Sequence, residues 1–270
     1  MRRVLGTNGS SRRRRAALLG AVVLMGGLAA GPGMNPARSA TPVGTIERVS
    51  VPNGAAGADR DARPDSGSSL ACSALNSRRC TKRTLSDDGT KIVYSSAAAN
   101  LVDGDTNGRV DVFLATLDPG RPPTPPSAGS GGSPMDPGVA PSVVSTVRVS
   151  AGAGGEGNGD SLGASISPDG KWIAFESSAS NLVGSDANGP AVDVFVYNVD
   201  TRALHLASVP AGGGGADGPS YSASVANNGT VAFTSRAGNL VAGASGEQVY
   251  ARTDPAGAGQ TLLVSAAGAA

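Results

Sequence analysis

The chain is 270 residues long, with 22 Lys and Arg against 21 Asp and Glu and a formal net charge of +1. The basic excess belongs to the N-terminus: seven of the 22 basic residues and none of the 21 acids fall in residues 1–40, leaving 15 basic against 21 acidic residues, about −6, in the remainder. An acidic body lacks the clustered Lys/Arg face that nucleic acid demands, and 40 Gly with 18 Pro point to many turns, short elements and little helix.

Residues 1–40 read as a signal peptide. Arg2, Arg3 and Arg12 to Arg15 precede an uncharged stretch, Ala16 to Ala30, that stops at Gly31-Pro32. That stretch is shorter than the roughly twenty apolar residues a spanning helix needs. Cleavage after Ala29, Ala30 or Ala40 leaves no membrane span after processing. The run Ser11-Arg-Arg-Arg-Arg-Ala-Ala-Leu-Leu resembles a twin-arginine signal but lacks its usual aromatic, so the secretory and twin-arginine routes both stay open. Residues 41–270 are expected to be secreted or to reside in the periplasm or cell envelope. There, Cys72 and Cys80 are expected to form one disulfide.

Three segments beyond the leader share their landmarks. They are LSDDGTKIVYSSAAANLVDGDTNGRVDVFLATLD (residues 85–118), ISPDGKWIAFESSASNLVGSDANGPAVDVFVYNVD (166–200) and VANNGTVAFTSRAGNLVAGASGEQVYARTD (225–254). Gly89, Gly170 and Gly229 match. So do Tyr94, Phe175 and Phe233; Asn100, Asn181 and Asn239, each before Leu-Val; and Phe113, Phe195 and Tyr250. A short strand ending in Val-Ser or Ala-Ser recurs with its serines at 50, 150, 208 and 265. The last two intervals, 58 and 57, give the bare repeat, and the first, 100, reveals about forty extra residues in repeat 1. The excess falls at 53–80, which holds the cysteines, and at 119–143, a Pro/Gly/Ser tract; both are expected to be disordered surface insertions.

The domain plan is therefore a single all-β unit at 41–270: repeat 1 at 82–151, repeat 2 at 161–209 and repeat 3 at 220–266. In repeat 2 the apolar runs and their Asp-Gly, Asn-Gly and Pro boundaries predict strand a at Ser161 to Ser167, b at Trp172 to Ser177, c at Asp193 to Asn198 and d at Ala203 to Val209. Four antiparallel strands at a fixed period make a propeller blade. All nine aromatics fall on predicted strands. Trp172 and Tyr221 are accordingly expected to pack between blades rather than to stack on a ligand.

Ser167-Pro-Asp-Gly-Lys-Trp-Ile-Ala-Phe175 resembles the TolB-type, WD-like β-propeller repeat, with Ser86-Asp-Asp-Gly-Thr-Lys-Ile-Val-Tyr94 a close copy and Ala226-Asn-Asn-Gly-Thr230 a degenerate one. The resemblance covers residues 82–265 apart from the Pro/Gly tract. It implies an exported bacterial protein with a propeller-like stack of blades, and propellers host binding, structural and catalytic roles alike. Three blades plus an orphan d-like strand, Thr45 to Val51, make an incomplete or open propeller. Three outcomes stay open: an arc capped by the orphan strand, a homo-dimer completing a ring, or an abbreviated product.

Asp105, Asn107 and Asp111, echoed by Asp186, Asn188 and Asp193, set oxygen donors around a Gly turn. That pattern suits a calcium loop, and better still a tight turn whose last Asp bonds the turn's amides. No other cofactor is indicated. For catalysis no Gly-x-Ser-x-Gly elbow is present; the sole histidine, His205, lies between two leucines in strand d, and Glu176 is the acid that a turn does not explain. The expectation is an exported, non-catalytic binding or scaffold protein whose partner is another protein or a cell-wall polymer. The alternative is a small secreted hydrolase or lyase acting through carboxylates.

Overall fold

The structure, a computed structural model, describes residues 68–69, 82–121, 138–184, 188–255, 257 and 259–266, all within one compact unit, residues 44–270. The signal segment, the orphan strand at 45–51, Cys72, Cys80 and Asp186 lie outside the described residues.

The described chain is all-β, and its strands form three four-stranded antiparallel sheets stacked as propeller-like blades. Blade 1 orders β1 (Ser68–Ser69), β2 (Lys91–Ser96), β3 (Asp111–Asp118) and β4 (Ser142–Arg148) side by side. A small hairpin, β5 (Ala151–Gly152) and β6 (Gly155–Glu156), leads to blade 2: β7 (Ser161–Ile166), β8 (Trp172–Ser177), β9 (Asp193–Asn198) and β10 (Leu204–Leu206). Blade 3 is β11 (Ser220–Val225), β12 (Val231–Ser235), β13 (Gln248–Arg252) and β14 (Thr261–Leu263). Among the described residues no helix is long and apolar enough to cross a membrane.

Strand alternation gives every blade two unlike faces. One carries a cross-strand aromatic pair: Tyr94 on Phe113, Phe175 on Phe195, Phe233 on Tyr250, with ring centroids 5.7, 5.6 and 5.8 Å apart. The other is aliphatic: Val93, Val112 and Leu114 in blade 1, and Ala174, Val194 and Val196 in blade 2. The aromatic face of blade 2 packs on the aliphatic face of blade 1, and that of blade 3 on blade 2, producing two continuous cores. Burying a Phe ring this completely stabilises by about 1.5–3 kcal/mol. Trp172 packs in the second core, its ring covering the backbone of Gly229 in the next blade, so close that a Cβ there would sit 3.0 Å from it.

The landmarks of the sequence are polar latches. In the turn between strands a and b, Ser167 Oγ accepts from the amides of Lys171 and Trp172 and donates to Asp169; Ser86 does the same work in blade 1 with Lys91 and Asp88. The recurring Val-Ser or Ala-Ser of strand d closes on the start of strand c. Ser150 bonds Asp111 (2.5 Å) and the amide of Val112, while Ser208 bonds Asp193 (2.7 Å) and the amide of Val194. Blade 3 repeats the latch with Ser265, Gln248 and Val249. Asn181 and Asn239 each tie their loop to the segment before their blade, and the leucines that follow them are buried.

Strand d of blade 2 is shorter than expected, Leu204–Leu206, because the residues after it turn to make the Ser208 latch. Blade 1 departs from the repeat 1 boundary at 82. Its innermost strand starts at Ser68 and Ser69, which pair with Ser96 and Ser95, and the same edge of β2 is taken up again by Leu85 opposite Ile92. The chain between Ser69 and Leu85 therefore divides strand a, while the remainder of the 53–80 insertion, residues 53–67, precedes it. The physical reason lies in the other blades. Strand a breaks register between Leu162 and Ser165 and between Tyr221 and Ser224, with Gly163 and Ser222 at φ 62° and 59°. A ladder already broken by a bulge accepts extra residues there at little cost. The second insertion sits at the tip of the β3–β4 hairpin, whose ends are held by the bridge of Arg121 to Val139.

Candidate functional site

Two polar constellations extend beyond the latches. The first is the loop between β2 and β3, which holds three of the predicted oxygen donors. Asn107 orders the turn through its side-chain oxygen, which accepts from the amide of Arg109, and its amide donates to Asp111 (3.0 Å) and to the carbonyl of Gly157 (3.1 Å). At the centre stands Arg148, at the end of β4. Its Nη1 lies 2.6 Å from Glu156, 3.1 Å from Asp105 and 3.8 Å from Asp111, with the guanidinium mostly buried. Glu156 in turn accepts from the amide and hydroxyl of Thr106, both at 2.7 Å. The carboxylates thus surround a cation supplied by the chain itself.

The charge balance of this cage is uneven. Burial pushes the Asp111 carboxyl above its ordinary value against the bonds from Ser150 and Asn107 and the charge of Arg148. The two Thr106 hydrogen bonds, assisted by Arg148, hold Glu156 down at about 2.

Blade 2 has no guanidinium at the matching place, because Leu206 occupies the position of Arg148, each opposite the second aromatic of its blade. Asp193 is engaged with Ser208. Asn188 differs from Asn107: both its Oδ1 and its Nδ2 are buried without a hydrogen-bond partner. The structure does not describe Asp186. Among the described residues no three His, Cys, Asp or Glu side chains are grouped to hold a metal ion.

The second constellation lies where the innermost strands converge. Glu176 is buried on the aliphatic face of blade 2, and Lys82, just before blade 1 resumes, reaches it at 2.6 Å. Lys82 also donates to the carbonyl of Gly163 (2.7 Å), and the amide of Ser222 in blade 3 donates to Glu176 (2.8 Å). The two bulges are what bring these groups together. A Cβ at Gly163 would stand 2.7 Å from Glu176 Oε1, and φ there is +62°, so the position needs glycine on both counts. Three blades are tied by one ion pair. As a general acid or base, Glu176 would have to abandon it. His205 pairs across the sheet with Val196 and is half-buried in β10.

Sequence reasoning found Glu176 as an unexplained acid but missed Lys82, Arg148 and Glu156. Lys82 gives no local signal, being 94 residues from its partner. Arg148 does, since its position is arginine at 48 and 148 but leucine at 206 and 263. A shallow cleft of about 500 Å³ between the β5–β6 hairpin and the start of β10 is lined by Ala151, Gly152, Leu182, Val183 and Leu204, with Arg202 beside them.

The blades and their latches define an open, propeller-type repeat protein. No protein-family model matches the chain, and no curated protein matches it. Among solved structures it is similar to the putative TolB from Agrobacterium tumefaciens (16% identity, TM-score 0.35, covering 67% of this chain and 47% of that one). It is also similar to TolB from Acinetobacter baumannii (19% identity, TM-score 0.32, covering 69% and 32%). The chain spans less than half the length of either.

Two outcomes follow from the geometry. Glu176→Gln leaves Lys82 charged and unpaired in a buried site and is expected to cost about 3–5 kcal/mol in urea unfolding, most of it recovered when Lys82→Met is combined with Glu176→Leu. For Glu156, a folded value below the ordinary 4.5 means that its contribution is fully present above pH 4.5 and is lost as pH falls through about 2. Melting temperature is thus expected to fall across that window, and less steeply in Glu156→Gln.

Proposed function

We propose that this protein is an exported, non-catalytic binding or scaffold module of the cell envelope, presenting the loop end of a propeller-like arc to another protein or to a cell-wall polymer. The observation that supports it best is the state of Glu176. The carboxylate that a hydrolase would recruit is committed to Lys82 and to the Ser222 amide, holding blades together. The acids of the blade 1 loop are likewise committed to Arg148 and Thr106. What faces outward is recognition surface: turns, hairpin tips and the cleft beside Arg202. The basic, uncharged-then-small N-terminal pattern supports export, and the cysteine pair at 72 and 80 would brace the inserted segment as a disulfide.

Calcium is proposed for blade 2 rather than blade 1, on the contrast between the unpartnered amide of Asn188 and the guanidinium-filled cage around Arg148. Titration calorimetry is expected to show calcium heat in the native chain that disappears in Asn188→Ala; absence of heat in the native chain removes the proposal.

The functional reading is checked by co-sedimentation with purified cell wall and by cross-linking in envelope extract, with peptide, ester and polysaccharide substrates assayed in parallel. Retention without turnover is the expected result. Turnover that is lost in Glu176→Gln or His205→Ala would establish the hydrolase instead.

A further inference from the structure

Each internal joint of the stack follows one rule: the aromatic face of one blade sits on the aliphatic face of the blade before it. Blade 3 also has an aliphatic face. Ala232, Val249 and Ala251 occupy on it the positions of Ala174, Val194 and Val196 in blade 2, and of Val93, Val112 and Leu114 in blade 1. The counterparts in blades 1 and 2 are 0–5% exposed, whereas Val249 is 41% exposed and Ala232 lies open. Leu262, which pairs with Ala251, is 46% exposed, and Val264, on the same side by alternation, 59%. Surface strands normally place polar residues outward, so a run of small and aliphatic side chains at positions that are core elsewhere in the repeat is an interface left open.

We infer that this face of blade 3 is the contact surface of a two-fold homodimer, in which it packs against the same face of a second copy. Three observations select that occupant. A head-to-tail pair would need the aromatic face of blade 1, and that face is already closed: Tyr94 is 3% exposed and Phe113 0%. The open face is also self-complementary, since small aliphatic side chains let two sheets approach to the usual separation of about 10 Å without interlocking rings. Its charged margin is self-neutralised. Arg236 pairs with Glu247 at 2.9 Å, and Tyr221 donates to the same carboxylate, so two copies meet there without net repulsion. An isologous contact of this kind closes at two chains and leaves no further sheet face to propagate.

The test uses the purified chain. Sedimentation velocity over a concentration series is expected to move from one chain to two and to stop there. Val249→Lys and Leu262→Glu, both at exposed positions, are expected to weaken the dimer by at least about tenfold while leaving the melting temperature of the monomer unchanged. Val249→Cys, mildly oxidised, is expected to give a disulfide between the 249 positions of two chains, identified by mass spectrometry of the linked peptide. A monomer at every concentration would overturn the inference. So would association indifferent to both charge substitutions, growth beyond two chains, or capture of an aromatic-faced sheet of another protein in place of a second copy.

Discussion

Everything in this fold depends on the mismatch between the two faces of a blade. The stacked rings of blades 2 and 3 lie on the aliphatic surface of the preceding blade, made of Val93, Val112 and Leu114 or of Ala174, Val194 and Val196. That pairing fixes order and direction. Within the chain each blade follows the last in the same sense, and the rings of blades 2 and 3 are buried by it. The polar latches at turn, strand d and Asn-Leu are secondary: each satisfies backbone and side-chain groups that the packing buries.

Much of this was readable from the amino acids because a repeat is its own control. Gly89, Gly170 and Gly229, the aromatic pairs and the Asn-Leu-Val tripeptides could be compared with each other; the glycines all turn at positive φ, and the rings pair in every blade. The serines at 150, 208 and 265 follow strand d, and the structure shows why serine in particular: its hydroxyl both donates to the residue that opens strand c and accepts from the next amide. Asp111 and Asp193, read as possible calcium ligands, are the acceptors of that bond.

What stayed hidden was whatever one blade does alone. Ser68 and Ser69 carry no apolar alternation, so nothing local marks them as the inner strand of blade 1. The Lys82–Glu176 pair joins residues from different blades across a bulge, and no spacing rule connects them. Arg148 stands at a position that is leucine in blades 2 and 3, which is legible as an oddity, yet its three carboxylate neighbours come from one loop and a hairpin that only the folded chain assembles. Repetition reveals shared physics and conceals exceptions, and in this protein the exceptions hold the charged chemistry.

The bulge in strand a has a consequence for how such a chain can diversify. Since the rung is already broken at Gly163 and Ser222, the two halves of the strand are held independently, the first by its pairing near the end of strand b and the second by the Ser-Pro-Asp-Gly turn. Blade 1 shows the result: more residues separate Ser69 from Leu85 than separate the matching positions of blades 2 and 3, and β2 still pairs with both pieces. The innermost strand is thus a socket at which new material can be mounted beside the axis of the arc, with no renegotiation of the stack.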